Sequence, residues 1–266
     1  MPRLQDKIAL VIGADSHDNM GQDIARRFVA EGARVVVAGR NVDEMSRFAD
    51  EIKGSYFQCD ITSKTDLAAL TAHVLTWGGG LDIAVNTAGW GLTKGFLETS
   101  EGELERITAL QFKGPFLFLQ AVIEAMHRGG SIIQISSATT QAVIENYAAY
   151  IGTKAGIDHV LRCVANEFGS RGIRANSISP GLTETPMTAQ AMATPGVHEC
   201  FLGRYPLGRI GTKADIAAAA VWLASDECFM TGENLQINGG LQLRGNPTSA
   251  DVGAAVAKAL AAKTDA

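Results

Sequence analysis

Seven short strand-like runs, several of them rich in Val and Ile, recur along the chain, most separated from the next by a longer stretch with helical character. The candidate strands are 8–12, 34–38, 55–58, 82–86, 131–136, 174–179 and 234–237. Candidate helices fall between them, over 21–31, 42–52, 64–76, 101–126, 148–169 and 213–224. Strands that read as continuous apolar runs must be covered on both faces, and a helix between successive strands makes them parallel. The expected fold class is therefore α/β: one doubly wound parallel sheet of about seven strands with helices on both faces. In such a sheet ligands bind at the carboxyl ends of the strands.

No internal repeat or low-complexity linker interrupts the pattern, so residues 1–245 read as one domain. Residues 246–266 form a C-terminal extension, partly helical, because its AAVAKALAAK run favours helix and Asp251 sits near the start. Hydrophobic residues make up 46% of the chain, enough for a substantial core. The net charge of -5, with no basic cluster, argues against nucleic acid as a partner. No apolar run is long enough to span a bilayer and no signal-peptide pattern is present, so the expected location is cytoplasmic, with no membrane partner. The four cysteines are scattered and form no CxxC, which points to buried free thiols and no metal site.

The first strand ends at Gly13 and the next helix opens near Gly21, with a polar loop between them. Such a loop presents backbone N–H groups at a helix N-terminus, where the helix dipole also favours a pyrophosphate. An ordinary turn would read the same way. The end of the second strand narrows the choice, because an acidic side chain there would hold the ribose 2′-hydroxyl of NAD. Gly39 and Arg40 stand there instead. A guanidinium can grip a 2′-phosphate in two-pronged fashion, so NADP is favoured, with NAD the alternative. Asp15 and Asp18 in the preceding loop weigh against a phosphate.

Residues 131–156, SIIQISSATTQAVIENYAAYIGTKAG, read as a buried strand ending near Ser136-Ser137, a loop, and a helix carrying Tyr150 and Lys154. Four residues are about one helical turn, so phenol and ammonium share a face. A free tyrosine titrates near pH ~10, and a neighbouring cation favours its phenolate. Tyr150 can then exchange a proton with a substrate oxygen as general acid/base, with Lys154 lowering its pKa and Ser137 orienting that oxygen.

Ser137, Tyr150 and Lys154, taken with Asn86-Thr-Ala-Gly89, Asn176-Ser-Ile-Ser-Pro-Gly181, Pro206-Leu-Gly-Arg209 and Ile237-Asn-Gly-Gly240, resemble the short-chain dehydrogenases/reductases over residues 5–243. The resemblance implies a Rossmann-like fold and NAD(P)-dependent interconversion of a carbonyl and a secondary alcohol. It also implies a homodimer or homotetramer and a small, partly apolar substrate covered by residues 186–205, with Met187, Met192, His198, Phe201 and Leu202. By the same resemblance the phosphate loop is Gly13, Asp15, Asn19, Met20 and Gly21, and Arg40, Asp60 and Ile61 border the adenosine. Asn86, Ala88 and Gly89 support the cofactor from the fourth strand. Pro180, Gly181, Thr183 and Thr185 flank the nicotinamide, and Lys154 also holds ribose hydroxyls.

Three departures from that pattern matter, the mildest being Thr87 where the resemblance expects a second asparagine in Asn86-Thr-Ala-Gly89. The loop is two residues longer than usual, with Asn19 where the middle glycine is expected, and Asn tolerates left-handed backbone. Gln111 replaces the asparagine that completes the catalytic set; Pro115 follows, and its missing N–H leaves the Gln111 carbonyl without an α-helical partner. Two other functions compete. An enoyl-thioester reductase of the same superfamily would use Tyr147 and Lys154, and a non-catalytic NAD(P)-binding sensor or assembly subunit would use neither tyrosine.

Overall fold

The computed structural model describes residues 2–186 and 188–264. Its seven strands are β1 Ile8–Ile12, β2 Arg34–Gly39, β3 Ser55–Gln58, β4 Ile83–Asn86, β5 Gly130–Ile135, β6 Ile173–Pro180 and β7 Asn234–Ile237. All neighbours pair in parallel, in the order β3-β2-β1-β4-β5-β6-β7. Every strand end lies within one residue of the sequence expectation. The helices are α1 Met20–Ala30, α2 Val42–Ile52, α3 Lys64–Gly78, α4 Glu101–Thr108, α5 Gly114–Ala125, α6 Ala148–Phe168, α7 Ala189–Ala193, α8 Val197–Leu202, α9 Lys213–Ala224, α10 Leu241–Arg244 and α11 Ser249–Thr264.

Alternation along each buried strand divides the core in two. Val11, Val37, Val85 and Ile133 face α1, α2 and α9 through Ile24, Phe28, Phe48 and Val221. Leu10, Ile12, Val36 and Ile132 face α3, α5 and α6 through Leu70, Phe118, Ile157 and Leu161. Both faces of the central strands are thus dry, as parallel pairing requires. Of the cysteines, Cys59 and Cys228 are buried, whereas Cys163 is exposed and Cys200 half-buried. The expectation of buried thiols therefore fails for two of them. Cys163 lies on the outer side of α6, between the inward-facing Leu161 and Val164.

The single helix expected over 101–126 is broken. A π-helical turn, Ala109–Lys113, separates α4 from α5, and the Gly114 N–H bonds back to the Ala109 carbonyl. Pro115 sits in the first turn of α5, where a missing N–H costs nothing. The wide turn brings Gln111 to the carboxyl edge of the sheet, and such insertions are frequent at functional sites.

The C-terminal extension is the helix α11, packed beside α8. Arg204 pairs with Asp251 at 2.8 Å, Ser249 N–H donates to Glu145 at 2.9 Å, and Asn246 donates to the Ala142 carbonyl. It therefore braces both the loop before α6 and the short helices α7 and α8.

The loop from β1 to α1 corrects one expectation. Asn19 is extended (φ -84°), and the left-handed residue is Asp18 (φ 53°). The longer loop makes its sharp turn one residue earlier, which frees Asn19 to act as the α1 N-cap. Its Oδ1 accepts from Gln22 N–H at 3.0 Å while its Nδ2 donates to the Gly13 carbonyl at 2.8 Å. Asn19→Ala should cost about 1–2 kcal/mol in urea unfolding, with Asn19→Ser recovering most of it. A stabilising Asn19→Gly would restore the left-handed reading instead.

Candidate active site

A cavity of about 400 Å³ opens at the carboxyl edge of the sheet, where β1 and β4 lie side by side. One end is built by the loop into α1: Gly13, Asp15, Asn19, Met20 and Gly21 all line it. Gly13 is left-handed (φ 91°), and a β-carbon there would sit 2.6 Å from Ala88 N. A β-carbon on Gly21 would meet Thr87 Oγ1 at 2.8 Å. Both glycines let three segments of main chain converge below the start of α1. Arg40, Asp60 and Ile61 form the adjoining rim.

At the end of β2 the carboxylate that Gly39 lacks is supplied from elsewhere. Asp15 Oδ2 accepts the Arg40 N–H at 2.8 Å, and the Asp15 side chain fills the space beside Gly39. An acidic group therefore stands where the expectation of NADP assumed none.

The middle of the cavity is lined by Ala88, Gly89 and Gln111. Asn86 does not line it. It lies beneath, its Nδ2 donating to Gln134 Oε1 and its Oδ1 accepting Ala88 N–H, both at 2.9 Å. One buried amide thereby joins β4 to β5 and bends the chain toward Gly89. Gln111 is 1% exposed, its Oε1 accepting Trp90 N–H at 2.8 Å and its Nε2 donating to Thr153 Oγ1 at 3.1 Å. It clamps the segment after β4 onto α6.

Ser137, Tyr150 and Lys154 converge on the far wall. Ser137 leaves the end of β5 in extended conformation, its Oγ accepting Thr139 N–H and sharing a 2.8 Å hydrogen bond with Thr139 Oγ1. Lys154 is buried, its Nζ donating to the Ile135 carbonyl at 2.8 Å and lying 5.8 Å from the Tyr150 ring centre. Tyr147 stacks edge-on against Tyr150 at 5.8 Å and is not among the residues lining the cavity.

The protein's own groups do not lower the Tyr150 pKa as expected. Burial pushes it above the usual tyrosine value, and the Ser137 hydroxyl offsets only part of that. Burial likewise pulls Lys154 down to about 8, against a smaller attraction from Asp158 one turn further along α6. Desolvation penalises the charged form of each and is the largest cause of both shifts. At neutral pH the Tyr150 phenol therefore keeps its proton.

Pro180, Gly181, Thr183 and Thr185 close the last side. Sequence reasoning missed Trp90 and Leu110, and did not single out Thr188 within residues 186–205; all three line the cavity. Trp90 was accessible, since it follows Gly89 at a strand's carboxyl end. Thr188 was not, because its position depends on bonds from its Oγ1 to the Thr183 carbonyl and from Thr185 N–H. Of the segment expected to cover the substrate, Pro186 and Thr188 line the cavity, whereas His198 and Leu202 do not and Met192 and Phe201 pack on Tyr205 and Ile210. Met187 lies outside the described residues.

Comparison with known proteins settles the lineage. A family model described as enoyl-(acyl carrier protein) reductase matches residues 13–242. Trans-4-hydroxycyclohexanecarboxylate dehydrogenase of Sinomonas cyclohexanicum is 35% identical over 252 residues, which cover 90% of this chain and 93% of that protein. The 7alpha-hydroxysteroid dehydrogenase of Escherichia coli K12 is 34% identical over 246 residues, covering 90% and 95%. A solved short-chain type dehydrogenase/reductase from Mycobacterium ulcerans superposes with a TM-score of 0.87 at 30% identity, over 91% of this chain and 92% of that one. The chain belongs to the short-chain dehydrogenase/reductase family. It is an oxidoreductase acting on CH–OH or C=O groups, dependent on NAD(H) or NADP(H). Among the described residues of this dehydrogenase, no helix is long and apolar enough to cross a membrane.

Lys154 gives the short-chain dehydrogenase a pH signature. Its pKa falls from an ordinary 10.5 to about 8 in the folded state. Between those values the unfolded chain binds more protons than the folded one, so stability rises with pH. The whole window is worth about 3 kcal/mol. Urea midpoints measured at pH 7.5 and 9.5 should rise in the parent relative to Lys154→Met; equal slopes would assign the effect elsewhere.

Proposed function

We propose that this enzyme interconverts a secondary alcohol and a ketone, with Tyr150 as general acid/base, Ser137 orienting the substrate oxygen and Lys154 serving both tyrosine and cofactor. The observation that carries the reading is one cavity that joins Ser137, Tyr150 and Lys154 to the N-terminus of α1 and leaves Tyr147 outside. The residues fit a nicotinamide dinucleotide. Met20 and Gly21 offer main-chain N–H groups at a helix start where no side chain of Gly21 stands in the way, which suits a pyrophosphate. Asp60 and Ile61 would border the adenine, Ala88 and Gly89 the middle, and Pro180, Gly181, Thr183 and Thr185 the nicotinamide. The dinucleotide, when bound, supplies the hydride chemistry and a positive charge in its oxidised form.

In reduction, the neutral Tyr150 phenol gives its proton to the developing alkoxide while Ser137 Oγ donates to the same oxygen. In oxidation, Tyr150 accepts the proton, and a cation beside it supports the phenolate against the cost of burial. Lys154 uses one N–H on the Ile135 carbonyl and has two more for ribose hydroxyls. Gln111 serves twice: its side chain fixes Trp90 and Thr153, and its carbonyl, which Pro115 leaves without an α-helical donor, would hold a water that links to Lys154 and takes Tyr150's proton outward.

The two relatives act, by their names, on alcohols of a cyclohexane ring and of a steroid. Trp90, Leu110 and Met20 give the cavity apolar surface suited to such a ring, so an alicyclic secondary alcohol is the substrate class we favour. The enoyl reduction named by the family description is the second reading, and it requires Tyr147 as donor. Tyr150→Phe should lower kcat by about 10²- to 10⁴-fold while dinucleotide affinity stays within a few-fold. Tyr147→Phe should keep most activity, and Ser137→Ala should lose much of it. A dead Tyr147→Phe with Ser137→Ala active on an enoyl thioester would install the second reading.

A homodimer or homotetramer belongs to the same proposal. Around α4 to α6, Phe118 and Leu161 turn inward, but Phe116 and Leu104 remain 43% and 49% exposed. Apolar residues on two sides of a helix call for two partners. Sedimentation at micromolar concentration should show a species larger than the 28.1 kDa chain, and a pure monomer would count against the assembly.

A further inference from the structure

The preference between the two dinucleotides turns on a residue that is not at the end of β2. Gly39 is buried there, and a side chain at that position would begin inside Asp15, with its β-carbon 2.5 Å from Asp15 Cγ and 2.7 Å from Oδ2. The volume available to a β2-terminal side chain is already occupied by a carboxylate. That carboxylate arrives from the loop after β1 and is held by the charge-assisted hydrogen bond from Arg40 N–H at 2.8 Å. Asp15, Gly39 and Arg40 line the same end of the cavity, beyond the start of α1.

We infer that Asp15 is the specificity-determining residue for the adenosine ribose, accepting hydrogen bonds from its hydroxyls and excluding a 2′-phosphate, so that NAD(H) is preferred. With Oδ2 engaged by the main chain, Oδ1 retains acceptor capacity for a diol. A phosphate in the same place would bring like charge against a fixed carboxylate. The cations that could compensate are already committed. Arg26 pairs with Asp23 and Glu51 at 2.9 and 2.6 Å, Arg47 with Glu44 and Glu51 at 2.7 and 3.0 Å, and Lys213 with Asp18 at 2.6 Å. Among the described residues lining this end of the cavity Arg40 is the one cation, and it is exposed to solvent, where a single guanidinium is well screened. Gly39 acquires a second meaning: it is the absence of a side chain on β2 that lets the loop deliver the acid.

The inference rests on the dinucleotide reading above, and direct binding separates the two. Dissociation constants for NADH and NADPH are measured by fluorescence titration on the parent, Asp15→Asn, Gly39→Ala and Arg40→Ala, each checked for folding by thermal melt. The parent should bind NADH about tenfold or more tighter than NADPH. Asp15→Asn keeps an acceptor for Arg40 N–H but removes the charge, and should shrink that ratio to about threefold or less. Gly39→Ala leaves the charge and displaces it, and should shrink the ratio in the same direction. Arg40→Ala should change the ratio of the two constants by less than about threefold. A parent that prefers NADPH, or an unchanged ratio in Asp15→Asn, overturns the role of Asp15 while leaving the oxidoreductase reading intact. Binding of neither dinucleotide at millimolar concentration overturns both.

Discussion

Strands β1 and β4 are neighbours at the centre of the sheet, yet the chain leaving β1 enters α1 on one face while the chain leaving β4 runs through α4 to α5 on the other. That divergence leaves a crevice which no helix covers, and both core faces are too apolar to host charge. Polar chemistry is confined to the carboxyl edge, so loops from β1, β4, β5 and β6 must meet there. Asn86 shows how tightly the meeting is held: one buried amide satisfies the β5 side chain and the turn toward Gly89 together. A buried polar group is costly unless fully bonded, and here the bonding fixes the floor of the cavity.

The electrostatics of the site follow from its burial. Tyr150 and Lys154 are a turn apart on α6, and desolvation works against the charge of each. The same desolvation that makes an ion pair expensive leaves a neutral phenol beside an amine that sheds its proton more readily than an ordinary lysine. Gln111 and Pro115 complement this arrangement. The π-turn places the glutamine side chain between Trp90 and Thr153, a span that a shorter asparagine would cover less easily.

The cavity wall is assembled from segments distant in sequence. Pro186 and Thr188 reach the cavity, while α7 and α8 are braced from behind by α11 through Arg204 and Asp251. The Ala142–Glu145 stretch before α6 is tied to the same extension. A ligand in the cavity would therefore meet a wall braced from behind by α11.

The strands, most helices and the Ser137–Tyr150–Lys154 constellation were legible from local pattern alone, because fully buried strands and one-turn spacing leave direct marks on sequence. Asn19 was found as an unusual residue but misread, since only the loop's backbone path shows that Asp18 takes the left-handed turn. The single helix over 101–126 hid a π-turn whose cause, Pro115, was visible but whose geometry was not. The pKa of Tyr150 went the opposite way from expectation, because burial is a property of the whole fold and not of Lys154's spacing. Most of all, Gly39 looked like a missing acid. Sequence determined that β2 carries no side chain at its end; only the tertiary structure decided that Asp15, twenty-four residues earlier, fills the space. Local spacing fixes which groups one element presents, while contacts between elements fix which charge another element brings to meet them.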